Sequence, residues 1–213
     1  MCGRYKVSTP GDELWEAFDL HGEVWQPPAR YNIAPSQPVL LVRTPHLLET
    51  MRWGLRFASG SKSNGINVRV ESLSAPLYRE AVRTRRCLIL ADGFYEWQVD
   101  AHKKKRPFLL QRSDRKPFAF AGIWAPTLLA NGELVDACAI LTTAARGVVA
   151  AVHHRMPLIL PRAHEHAWLT AARYDDLLAP DVSTLQAYPV SALVNSPAND
   201  DARLIEPVAP PEA

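Results

Sequence analysis

The chain has 213 residues, 47% of them hydrophobic, which suits one domain with a sizeable core. Its 24 basic and 22 acidic residues leave a formal charge of +2, too small for a nucleic-acid binder that works by net charge; such a role needs a local patch. The opening MCGRYKVSTPGDELW lacks the apolar segment of a secretory signal, and no apolar run approaches the roughly 18 residues of a membrane span, so a cytoplasmic chain is expected.

Eighteen prolines against ten glycines imply many short elements with stiff turns. TPGDELWEAF reads as a helix start, with Thr9 as cap, Pro10 in the first turn and Asp12 at the positive helix end. QPVLLVRTP and HLLETMRWGL read as strands around a proline-containing turn. SAPLYREAVRTRR reads as a helix capped by Ser74. CLILADGFYEWQ, an apolar run, an Asp-Gly pair and an aromatic run, predicts a hairpin. AHKKKRP reads as a hairpin loop with four consecutive basic residues. RPFLLQRS, KPFAFAGIW and CAILTTAA are further strands, and ARGVVAAV is a short helix leading into a strand at HHRMPLILP. RAHEHAWLTAA and YDDLLAP are helical pieces, LQAYPVS is a last strand, and EPVAPPEA reads as a loose tail. Strands outnumber helices and do not alternate with them. The expected fold is α+β, mostly antiparallel sheet closed into a barrel-like core with peripheral helices, in one domain over 1–208 with a proline-rich tail at 209–213.

The cysteines are Cys2, Cys87 and Cys138, an odd number without a C-x-x-C pair, which speaks against a disulfide framework or a zinc cluster. Cys2 stands directly behind the initiator methionine. Removal of Met1 leaves Cys2 with an α-amine beside its own thiol, groups that titrate at about 8 and about 8.5. A 1,2-aminothiol condenses with an aldehyde to an imine, and the thiolate then closes a thiazolidine ring. An amidase in which the terminal thiol attacks an amide is an alternative, and an incidental cysteine in a frayed terminus is another.

Three fragments keep Cys2 company. INVRVES places Asn67 and Arg69 on one face of a strand. DGFYEWQ sets Glu96 between Tyr95 and Trp97, where desolvation can raise a carboxyl pKa and make it an acid or base. HHRMP shows His153 and Arg155 on one strand face and His154 on the other. Each has a plainer reading: an exposed hairpin glutamate, satisfied histidines at a strand start, and salt-bridge arginines.

MCGRY, RYNIAPSQ, MRWGL, NVRVES, RRCLILADGFYEW, ILTTAA, HHRMPLIL and PVSALVN occur in this order and together resemble the SRAP family, the SOS-response-associated peptidases. The resemblance runs from residue 2 to about Val208. It implies a mixed α/β fold around a barrel-like core. It also implies a protein of the DNA damage response that binds single-stranded DNA and crosslinks itself to abasic sites, after removing its own Met1. The catalytic residues it implies are Cys2, Asn67, Glu96 and His153. DNA contacts fall on Arg4, Arg69 and Arg155, with Thr142 as a further match and Trp53 stacking on a base or packing the site floor. No metal, cofactor or membrane is implied, and a monomer is expected, cytoplasmic and with the nucleoid when bound to DNA. Two positions depart from the family pattern: Phe57 stands where members commonly carry a second tryptophan, and Val68 stands between Asn67 and Arg69. A cysteine peptidase acting in trans and a non-catalytic single-stranded-DNA-binding module are the rival readings.

Overall fold

The computed structural model describes residues 2–56, 65–100 and 102–208. In chain order the regular elements are β1 (Arg4–Val7), α1 (Gly11–Phe18), β2 (Arg30–Ile33), β3 (Pro38–Thr44), β4 (Leu47–Trp53), β5 (Asn67–Arg69), α2 (Pro76–Thr84), β6 (Arg86–Ala91) and β7 (Gly93–Val99). There follow β8 (Lys105–Arg112), β9 (Phe118–Leu128), β10 (Leu134–Ala144), β11 (Arg155–Pro157), α3 (Glu165–Thr170) and β12 (Leu185–Pro189), with short 3-10 turns between.

Five strands close on themselves in the order β10-β4-β3-β6-β9 and back to β10. A ring of five cannot have every seam antiparallel. The parallel seam here is β10–β4, where Ala137 lies beside Arg52 and Cys138 beside Trp53. A second sheet, β12-β8-β7-β1-β2, is antiparallel throughout and packs on the barrel. The barrel-like core expected from the strand-rich pattern is thus present. β6 is buried at every position because one face lines the barrel and the other is covered, which is why it reads as an unbroken apolar run.

Between the two sheets lies an aromatic layer. Tyr5 of β1 meets Trp53 of β4 edge-on at 5.3 Å and Phe120 of β9 at 5.7 Å, and Phe94 of β7 meets Phe120 at 6.0 Å. Such edge-to-face pairs favour one relative placement of the layers over sliding alternatives. On the outside, the buried Arg86 caps α2 and α3. Its guanidinium donates to Val82 and Arg83 at the end of α2 and to Trp168 and Ala171 at the end of α3, satisfying carbonyls that helix ends leave without partners.

Four local expectations change. The Asp-Gly pair makes no hairpin: β6 stays in the barrel beside β3 and β9, while β7 leaves for the second sheet beside β1 and β8. Asp92 marks that corner. Its buried carboxylate accepts from Lys6 Nζ (2.7 Å), the Ser8 N–H (2.6 Å), the Thr9 N–H (2.7 Å), Thr9 Oγ1 (2.8 Å) and Ser8 Oγ (3.1 Å). Thr9 therefore does not cap α1, whose N-cap is Pro10. Nor does Ser74 cap α2, which starts on Ala75 with Pro76 in its first turn. The start of the supposed loose tail is tied down, since Pro207 bridges Val190 and the Val208 N–H donates to Pro189 O at 3.0 Å. Residues 209–213 lie outside the described residues. Among those described, no helix is long and apolar enough to cross a membrane.

Removing the Asp92 carboxylate strands the buried Lys6 ammonium and two backbone amides. Asp92→Ala will lower stability by about 3–5 kcal/mol in urea unfolding. A loss below about 1 kcal/mol would mean that the corner is held by packing instead.

Candidate active site

β10 outruns the barrel and organises the site. Along its extension β5 pairs in parallel, Ile140 beside Asn67 and Thr142 beside Arg69, while β11 pairs antiparallel, Ala144 beside Arg155. Asn67, Arg69, Arg155 and the adjacent His153 are therefore carried by one strand and its neighbours. β1 comes from the other sheet. Arg4 lies opposite Tyr95 of β7, so the residues preceding β1 run back alongside Glu96 and Trp97. The amino-terminal segment thus enters the cleft between the extended β10 and β7.

Cys2 is fully buried. Its carbonyl accepts a hydrogen bond from Asn67 Nδ2 at 2.8 Å, and its thiol lies 3.8 Å from Arg4 O. Asn67 Oδ1 is shielded from solvent and takes no hydrogen bond among the described residues, so this acceptor can serve a bound group. Burial pushes the Cys2 thiol far above its ordinary range, and the Glu96 carboxylate adds to the effect. The resting thiol is neutral and needs a base. Glu96, 2% exposed, has a carboxyl suited to exchanging protons near neutrality: burial raises it to about 7 against the pull of nearby positive charge. Burial also lowers His153, which favours the neutral imidazole. His153 Nδ1 lies 3.0 Å from both the backbone N and O of Arg155, so that edge of the ring is held by backbone and proton exchange with a ligand goes through Nε2. The exposed His154 packs against the same ring at 4.3 Å.

A cavity of about 480 Å³ opens beside these groups, lined by Glu96, Trp97, Val99, Lys105, His153 and Asn195. Trp97 Nε1 donates to Asn195 Oδ1 at 2.8 Å, which fixes the indole in the wall. Trp97, Lys105 and Asn195 were not singled out from sequence. Their signals were the tryptophan beside Glu96, the basic run and the closing asparagine of PVSALVN.

The other candidates divide sharply. Arg69 is exposed. Arg4 is engaged instead with Asn32 Oδ1 (3.0 Å), Val194 O (2.7 Å) and Asn195 O (3.1 Å), a clamp that holds the cavity wall to β1. Arg155 forms a two-pronged pair with Glu71 (2.6 and 2.9 Å) and donates to Thr142 O (2.6 Å). Both arginines hold structure here rather than standing ready for phosphate. Trp53 and Thr142 have no exposed surface, so base stacking by Trp53 and DNA contact by Thr142 give way to support. Trp53 packs the floor and donates from Nε1 to Ile66 O at 2.8 Å, directly ahead of Asn67. Val68 is buried away from the site. Phe57 lies outside the described residues.

The sequence profile of the family described as SOS response associated peptidase (SRAP) matches residues 1–197. The chain belongs to the SRAP family. Among SRAP relatives, the abasic site processing protein YoaM of Bacillus subtilis is 36% identical over 97% of this chain and 98% of its own. The abasic site processing protein YedK of Escherichia coli is 29% identical over 98% and 100%, and HMCES of Gallus gallus, named likewise, is 29% identical over 98% and 78%. A crystal structure of a protein from Bacteroides thetaiotaomicron superimposes with a TM-score of 0.83 over 98% of this chain and all of that one, at 22% identity, which establishes the shared SRAP fold. A crystal structure from Bordetella bronchiseptica, 28% identical, gives 0.75 over 89% and 100%.

All three cysteines are free and fully buried. Titration of the native protein with a thiol reagent at pH 7 will show no fast-reacting thiol, and three after unfolding. A fast native thiol that vanishes in Cys2→Ser would show that the terminus leaves its cleft.

Proposed function

We propose that this protein binds single-stranded DNA and forms a covalent adduct with abasic sites through Cys2, shielding the lesion, after removing its own Met1. The observation that carries the reading is the convergence, in one cleft, of Cys2, the Asn67 amide that grips its carbonyl, and the Glu96 and His153 side chains beside a cavity of about 480 Å³. The names of the relatives, abasic site processing proteins, support the same chemistry.

Hydrolysis of the Met1–Cys2 bond consumes one water and frees the Cys2 amine. Glu96 takes the thiol proton in that step. The ring-opened abasic sugar offers an aldehyde at C1′. The Cys2 amine adds to it and loses one water to give an imine. The sulfur then adds to the imine carbon, its proton passes to nitrogen, and a thiazolidine closes without any redox change. His153 opens the sugar ring as the imidazolium, which its lowered pKa makes the stronger acid, giving its proton through Nε2, and Asn67 holds the terminal residue by its carbonyl while Oδ1 takes a sugar hydroxyl. Arg69 meets a phosphate, which suits a guanidinium fork. All four reacting or orienting groups belong to one chain, so a monomer suffices. A single strand suits the cleft, because its sugar reaches the site without the cost of extrusion from a duplex stack. Such a protein works in the cytoplasm, on the nucleoid.

The decisive experiment is denaturing electrophoresis over time with an abasic oligonucleotide. Wild type will form an adduct that survives heat and denaturant, and Cys2→Ala will bind the oligonucleotide but form none. An equally fast durable adduct with Cys2→Ala would overturn the reading.

The pH profile follows from Glu96. Below about 7 its carboxyl holds a proton and cannot take the one that the Cys2 ammonium must lose before it attacks; above, it is ionised and can. The rate of adduct formation in wild type will rise through that pH. Glu96→Gln will be slow and lack the inflection, and a Glu96→Gln profile parallel to wild type would remove Glu96 from the proton path.

A further inference from the structure

Far from Cys2 in the chain, two loops bring together a second group of chemically capable side chains. α1 ends at Phe18, and Asp19 turns the chain with a left-handed backbone (φ 49°). His46 sits in the β3–β4 turn, also left-handed (φ 68°). The two loops are pinned by the His21 N–H, which donates to His46 O at 2.8 Å. This pinning stacks the two imidazoles at 4.3 Å with their planes within 6°. The Asp19 carboxylate lies against both. Its Oδ2 is 3.1 Å from His46 Nδ1, and its Oδ1 is 3.9 Å from His21 Nε2. One ligand atom from each residue lies within 4.8 Å of the others.

We propose that Asp19, His21 and His46 form a surface site for one divalent transition-metal ion of the zinc class. Two ligands bound to zinc at about 2.0–2.1 Å, with angles between square and tetrahedral, stand about 2.8–3.4 Å apart. The His46–Asp19 separation of 3.1 Å already meets that condition. The His21–Asp19 separation exceeds it by half an ångström or more, and parallel rings do not aim their lone pairs at one point. His21 is 68% exposed, so its ring can turn about its own side-chain bonds to bring Nε2 in. His46 Nδ1 also lies 2.7 Å from Asp19 O, so in the metal-free chain its proton is held there. On binding, that proton moves to Nε2 by exchange with water, and the metal takes its place at Nδ1. Water completes the coordination. Two imidazoles and a carboxylate suit zinc, nickel or copper better than magnesium or calcium. Among the described residues, the ion pairs of Asp19 are to these two histidines, so no lysine or arginine already neutralises it. A bound ion would staple the end of α1 to the β3–β4 turn of the barrel.

Calorimetric titration of the untagged full chain with zinc chloride tests this, alongside thermal unfolding with and without the metal. Wild type will bind one equivalent and unfold at a higher temperature when loaded. His21→Ala, His46→Ala and Asp19→Asn, all at exposed or half-exposed positions, will each weaken zinc by about tenfold or more and lose the thermal gain. All three will still form the abasic-site adduct, because none touches the Cys2 cleft. The rival location is the other pair of histidines beside Glu96. Zinc binding that persists in His46→Ala and disappears in His154→Ala would overturn the proposal, as would a wild-type dissociation constant weaker than about a millimolar.

Discussion

The Asp92 carboxylate is the point on which the arrangement turns. A buried carboxylate is tolerated only when its lone pairs are filled by donors, and Asp92 gathers its donors from Lys6, Ser8 and Thr9. In return the Asp92 N–H donates to Lys6 O at 3.0 Å. The corner where the chain passes from barrel to second sheet is thereby locked to the first strand. That lock sets the register of β1 on β7, which runs the residues ahead of Arg4 back alongside Glu96 and Trp97. Misplacing β1 by one residue would turn Tyr5 out of the aromatic layer and Arg4 away from its clamp.

The electrostatics of the cleft follow from the same burial. Desolvation raises the Cys2 thiol, raises the Glu96 carboxyl and lowers His153, so all three are driven toward their neutral forms. The Cys2 thiol is thereby held in its protonated form, with no standing thiolate in the cleft. Glu96 near 7 sits where it can both accept and return a proton. The arginines nearest the cleft serve a complementary end. Arg4 and Arg155 bind carbonyls and Glu71, and so fix the walls against which the neutral groups are held.

What the sequence displayed, and what it hid, separates by range. Strands such as Pro38–Thr44 and Arg86–Ala91 were legible because their apolar patterns are local. The alternation of INVRVES correctly placed Asn67 and Arg69 on a strand. The Asp-Gly pair misled because a turn and a corner between sheets use the same local residues; what distinguishes them is Lys6, some eighty positions away. Thr9 had the chemistry of a helix cap and spent it on Asp92 for the same reason. The arginines could be recognised as important but not assigned, since their partners at Glu71, Val194 and Asn195 lie in separate parts of the chain. Trp53 was open to two roles, and only the meeting of the two sheets decided that it lies inside.

The Arg4 clamp carries a consequence for the life of the chain. The first strand is made at the start of synthesis, yet the carbonyls that hold Arg4 belong to Val194 and Asn195, near the end. Contacts of such long sequence separation form late, because the loop they close must be ordered first. A growing chain, or one cut short before its last segments, lacks the clamp that fixes its first strand to the cavity wall. Cys2, Asn67, Glu96 and His153 are all present in such a chain, but the strand that follows Cys2 is then held by its sheet neighbours β2 and β7 and not by the far end of the chain. The placement of the first residues is therefore completed only when residues near the other end of the chain arrive.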